Sequence, residues 1–77
     1  MAEVTADAAT RIDARGMRCP WPALRLVRAM RDAHAAIIWA DDPNFPRELD
    51  ALATSQGWRT ADADALGGAP GWHVTAA

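Results

Sequence analysis

The chain contains one thiol, Cys19, set in the segment Asp13-Ala14-Arg15-Gly16-Met17-Arg18-Cys19-Pro20-Trp21-Pro22. Proline directly after the cysteine, and again two residues on, predicts that the sulfur stands at the start of a helix, where proline is tolerated. A sulfur at an N-cap would meet the positive end of the helix dipole and unsatisfied backbone N–H groups, which favour thiolate, the nucleophilic form. Pro20 and Pro22 carry no N–H, so Trp21 and Ala23 are the nearest donors left, and moderate activation is expected. Arg15 and Arg18 add positive charge that either favours the anion further or meets acidic residues on a partner. The prolines also stiffen the segment and hold the thiol outward.

Other chemistry is thinly supported. A single cysteine cannot form an internal disulfide. There is no Cys-x-x-Cys and no His-x-x-x-His, and neither His34 nor His73 has ligand spacing to Cys19, so no metal and no cofactor are expected. Asp41-Asp42 precedes Pro43 and reads as a turn that starts a helix, in preference to a pair of catalytic carboxylates. His34 reads as a loop residue and His73 as a solvated residue on a sheet face. The competing reading of Cys19 is a small buried hydrophobe. Its place between Arg18 and Pro20 argues against that.

The elements that must position the thiol follow from the hydrophobic pattern. Thr10 to Ala14 alternates as a short strand, and Arg15-Gly16 marks a turn. From Pro20 to Asp32, Ala23, Leu24, Leu26, Val27 and Met30 gather on one side of a helical wheel. Arg25 and Arg28 lie opposite, with Trp21 beside them and away from the stripe. Trp21 is therefore expected to be exposed near Cys19, well placed to grip a transient partner, with Arg25 and Arg28 as possible docking charges. Ala36 to Ala40 is a continuous apolar run suited to a central strand, and Trp39 and Trp72 are expected to be buried. A second helix is expected from Asn44, its N-cap, to Gly57, its C-cap, with a stripe of Phe45, Leu49, Leu52 and Ala53. Trp58 to Asp62 reads as a strand, Gly67 to Gly71 as a loose turn, and Trp72 to Thr75 as a last strand. The order β-α-β-α-β-β predicts an α/β two-layer sandwich, with two helices packed on one face of a four-stranded mixed sheet.

Composition bounds the rest. The 77 residues are 51% apolar and 23% charged, an ordinary globular balance. One domain over residues 10–77 is expected, after a loose N-terminal tail over 1–9. The net charge of −2 argues against direct nucleic-acid binding, which needs a basic field. The N-terminus has no basic stretch followed by an apolar one and no apolar run approaches a membrane span, so a cytoplasmic location with no membrane partner is expected, and the chain is expected to be a monomer.

The sequence resembles the TusA (SirA-like) family of sulfur carriers. The family hallmark is a glycine, a large apolar residue, a variable position and Cys-Pro-x-Pro between the first strand and first helix. Here it is matched by Gly16, Met17, Arg18, Cys19, Pro20, Trp21 and Pro22. Asp13 fits the acidic residue before the glycine, and Asp42-Pro43 fits the Asp-Pro after the second strand. The similarity runs from about Arg11 to Ala77. Met17 in place of the motif leucine, the apolar-poor Arg59-Thr60-Ala61 and the three glycines of the last turn depart from the pattern. The resemblance implies a sandwich similar to the C-terminal domain of translation initiation factor 3. It also implies that Cys19 accepts a persulfide sulfur from a cysteine desulfurase or another sulfurtransferase. The sulfur then passes to a reactive cysteine on an acceptor protein, as in tRNA thiolation, molybdenum cofactor metabolism or sulfur oxidation. The chain would be a sulfurtransferase only in this relay sense. The alternative is a non-catalytic interaction or regulatory module with a structural or redox-sensing cysteine.

Overall fold

The computed structural model describes residues 9–77. The expected tail lies outside the described residues except for Ala9, which is buried beside Ala35, Ile37 and Trp39. The elements are β1 (Thr10–Asp13), α1 (Trp21–Asp32), β2 (Ala35–Trp39), α2 (Phe45–Gln56), β3 (Arg59–Leu66) and β4 (Ala69–Thr75). The sheet order is β1-β2-β4-β3. β1 runs parallel to β2, and the other pairs are antiparallel. This is the expected mixed sheet, with both helices contributing to one core.

That core follows from the period-two alternation of the strands. Ile12, Ala36, Ile38 and Val74 turn to the helices and pack against Leu26 of α1 and Phe45 and Leu49 of α2. Phe45 meets Trp72 edge to face, with ring centroids 5.2 Å apart. The alternate residues Ala35, Ile37 and Trp39 form a second apolar cluster on the other face of the sheet, which explains why β2 reads as an unbroken apolar run. There Arg11 stands 5.5 Å over the Trp39 ring, and the Trp39 indole N–H donates to the Asp64 carbonyl at 2.8 Å. Of the two tryptophans expected inside, Trp39 is buried and Trp72 is half-buried.

Three local expectations need correction. The loose turn at Gly67 to Gly71 is a two-residue hairpin turn, Gly67-Gly68 with φ of +56° and +85°. Both positions need positive φ, which glycine supplies freely. β3 and β4 consequently run longer than their apolar content suggests. On α1, Leu24 belongs to the expected stripe but is 46% exposed, while Leu26 carries the core contact. Asn44 does occupy the N-cap position of α2, but its side chain makes no capping bond. The Asp42 carboxylate accepts the Asn44 N–H instead, at 3.0 Å.

Candidate functional site

Parallel pairing of β1 with β2 brings the C-terminal ends of both strands to the same end of the sheet. The connection from β1 to α1, which carries Cys19, therefore lies against the connection from β2 to α2. Two aspartates from the second connection hold the first. Asp41 accepts the Gly16 N–H at 3.0 and 3.2 Å to its two oxygens. Asp42 is 8% exposed and accepts the Cys19 N–H at 2.6 Å through Oδ2, while its Oδ1 takes the Asn44 N–H. Those two N–H groups, Asn44 first and then Cys19, hold the Asp42 carboxyl below its ordinary range, with help from the charge of Arg18. A cleft of about 300 Å³ lies between the connections, lined by Gly16, Met17, Arg18, Asp41, Asp42 and Pro43.

Cys19 is exposed and unpaired. It is not the N-cap of α1; that position is Pro20. The Trp21 N–H expected to face the sulfur donates to the Arg18 carbonyl at 2.9 Å. The sulfur instead turns to α2, where the thiol donates a hydrogen bond to Glu48 Oε2. That bond, then desolvation, then the charges of Glu48 and Asp42 push the thiol above its ordinary pKa. The expected shift toward thiolate is reversed here because the sulfur is bonded to the Glu48 carboxylate and acted on by the charge of Asp42, while the Trp21 N–H is taken by the turn itself. Glu48 Oε1 is buried and has no hydrogen-bond partner among the described residues.

The remaining expected site residues fall into two groups. Asp13 and Arg15 face each other in a two-pronged pair, with Nε and Nη2 each 2.8 Å from the carboxylate. That pairing lowers the Asp13 pKa to about 2. Arg25 donates to the Asp13 carbonyl at 3.1 Å and touches Met17 Sδ at 3.9 Å. Arg15 and Arg25 thus brace the strand end, Arg18 shares the cleft with Asp42, and none of the three is among the groups that shift the Cys19 thiol. Met17 and the buried Pro22 anchor the segment to the core side. The outward group is Trp21, 61% exposed, with exposed Leu24 and Arg28 further along α1.

Sequence reasoning missed Glu48 and the bracing role of Asp41 and Asp42. The parallel adjacency of the first two strands, implicit in the β-α-β order, is the signal that places these connections together. His34 is exposed, as expected of a loop residue. His73 is half-buried on the sheet face away from the helices, and its Nε2 is buried without a partner among the described residues, so it is less solvated than expected. With Arg11, Ile37, Trp39 and Ala63 it lines a shallow groove of about 350 Å³, far from the chemistry of Cys19 in the topology of the sheet.

A family model described as Sulfurtransferase TusA matches residues 10–74. Among solved structures, the SirA-like protein from Desulfitobacterium hafniense aligns with a TM-score of 0.76 and 21% identity, over 87% of this chain and 96% of that one. At that identity the likeness is one of fold, and it matches the two helices on a four-stranded mixed sheet described above.

Proposed function

The chain belongs to the TusA sulfurtransferase family, and on that premise we propose that Cys19 carries a transferable sulfur as a persulfide. The observation that carries this reading is that the chain's one cysteine lies inside the matched region and is exposed, at the junction where two connections brace its backbone. In loading, the Cys19 thiolate attacks the outer sulfur of a donor persulfide. A bond forms between Cys19 Sγ and that sulfur, and the donor cysteine leaves as thiolate. In unloading, an acceptor thiol repeats the exchange at the carried sulfur. No oxidant or reductant is consumed, because one divalent sulfur moves between thiols.

The donor is a cysteine desulfurase or another sulfurtransferase, and the acceptor is a protein with a reactive cysteine. Gly16, Met17, Pro20, Pro22 and Asp13 hold the segment in shape. Trp21, Arg18 and Arg28 form the docking surface around the thiol, while Arg15 and Arg25 act by bracing the strand end. Among the described residues no helix is long and apolar enough to cross a membrane, and the carrier is read as a cytoplasmic monomer with one domain from residue 10.

The test is the intact mass of the protein and of Cys19→Ser after incubation with a cysteine desulfurase and free cysteine. A gain of one sulfur on the wild type alone, removed by reductant, is the expected outcome. Absence of that gain with desulfurases and with thiosulfate-derived donors would leave the interaction-module reading in its place.

A further inference from the structure

A carrier of persulfide sulfur has to control a proton. The neutral form, with S–H on the outer sulfur, is an electrophile that an incoming thiolate can attack. The ionised form repels that thiolate and is itself a nucleophile. The outer S–H of a persulfide is more acidic than an ordinary thiol, so the cargo ionises readily unless its surroundings oppose it.

The surroundings of Cys19 do oppose it. Glu48 from α2 accepts the thiol itself, and Asp42 from the connection after β2, bound to the Cys19 backbone N–H, adds a second negative charge that acts on it. Of the arginines nearest in sequence, Arg15 is paired with Asp13, and Arg18 lines the cleft that holds Asp42, whose carboxyl pKa its charge lowers. Glu48 already accepts the thiol proton through Oε2, and its second oxygen is buried with no partner among the described residues. A buried acceptor without a donor is costly, and nothing among the described residues of the unloaded molecule satisfies it. A persulfide extends the side chain by one sulfur and brings an S–H to this carboxylate.

Resting on the persulfide-carrier reading, we propose that Glu48 is the positioning residue for the carried sulfur, accepting the S–H of the Cys19 persulfide so that the cargo is handed on in its protonated, electrophilic form. In the hand-off an acceptor thiolate attacks the outer sulfur, a new S–S bond forms on the acceptor, and the bond from Cys19 Sγ to that sulfur breaks. The proton stays on the transferred sulfur. Cys19 leaves as thiolate, takes a proton from water and returns to its hydrogen bond with Glu48.

The experiment compares the wild type with Glu48→Gln, which removes the charge at constant shape, and Glu48→Asp, which keeps it. Two rates are followed against pH: alkylation of the unloaded thiol by iodoacetamide, and release of sulfur to glutathione after loading with sodium polysulfide. Glu48→Gln is expected to alkylate faster, its midpoint lower by about one pH unit, a tenfold change in thiolate at fixed pH. It is expected to release sulfur more slowly in mildly alkaline solution, by about tenfold for the same shift in the persulfide. Glu48→Asp is expected to move both rates back toward the wild type. A glutamate that only supported the fold would not move the two rates in opposite directions. Wild-type profiles in Glu48→Gln would overturn the proposal. So would a wild-type alkylation midpoint at or below that of free glutathione, which needs no variant to fold. Polysulfide loads the thiol without any donor protein, so failure of desulfurase loading counts against the carrier reading, whereas these two rates decide the role of Glu48.

Discussion

At the scale of single residues, the site is built from aspartates that the sequence presents as turn formers. Asp42 ties the backbone of Cys19 to the start of α2, so its loss should loosen both at once. Asp42→Ala is expected to lower the melting temperature by about 5 °C, on the order of what one lost interaction does in a domain this small. Thermal denaturation followed by tryptophan fluorescence checks it. The pH dependence has a definite sign. Asp42 and Asp13 both titrate below their ordinary values in the fold, Asp13 at about 2. The stability they contribute is therefore complete above the unfolded carboxylate value of about 4 and is lost as pH falls from there through the folded values. In Asp42→Asn the loss of stability across that acid window should be smaller than in the wild type, and an unchanged slope would count against its role. Cys19 and its proline frame are legible in the sequence because a lone thiol and closely spaced prolines each restrict what the chain can do locally. Glu48 is not, because a glutamate in the first turn of a helix has an ordinary explanation in the helix dipole. Only the packing of α2 beside the thiol gives it another.

At the scale of elements, the helices and the central strand are readable from periodicity because each buries a face. Leu26 illustrates this: it is fully buried in the core where α1 meets the sheet, and Leu26→Ala should cost about 2–5 kcal/mol in chemical denaturation. β3 outruns its expected length for the opposite reason. Its residues are almost all exposed, so hydrogen bonding to β4 holds it and no burial pattern marks its end. The turn also differs from expectation, since five residues rich in glycine look loose until two of them are seen to close the hairpin alone. Gly71 then belongs to β4, where it serves a different need. A Cβ there would lie 2.7 Å from the Trp39 ring and 3.0 Å from the Asp64 carbonyl that the ring's N–H binds. Gly71→Ala should therefore cost about 1–3 kcal/mol by overpacking, with a change in Trp39 emission, whereas a silent substitution would mean that the ring has room to move.

At the scale of the whole molecule, the surface is divided between an end that offers chemistry and a margin that refuses contact. Trp21, two residues from the thiol, and Leu24 further along α1 are exposed apolar groups that the core does not use. Trp21→Ala should leave the melting temperature nearly unchanged while slowing sulfur loading from a desulfurase by about tenfold or more, in keeping with an aromatic hot spot. Loading from polysulfide should not change, and equal losses with both donors would move Trp21 out of the docking surface. The margin is set by the strand order, which leaves β1 and β3 at the two edges of the sheet. β1 has only four residues, and β3 presents Asp62 and Asp64 in the open. Two copies that tried to join β3 to β3 would bring like charges together along the seam, which opposes strand-by-strand growth into fibrils. The acidic side chains along that edge thereby oppose self-pairing through the sheet and leave the face beside Cys19 as the part of the molecule free to meet another protein.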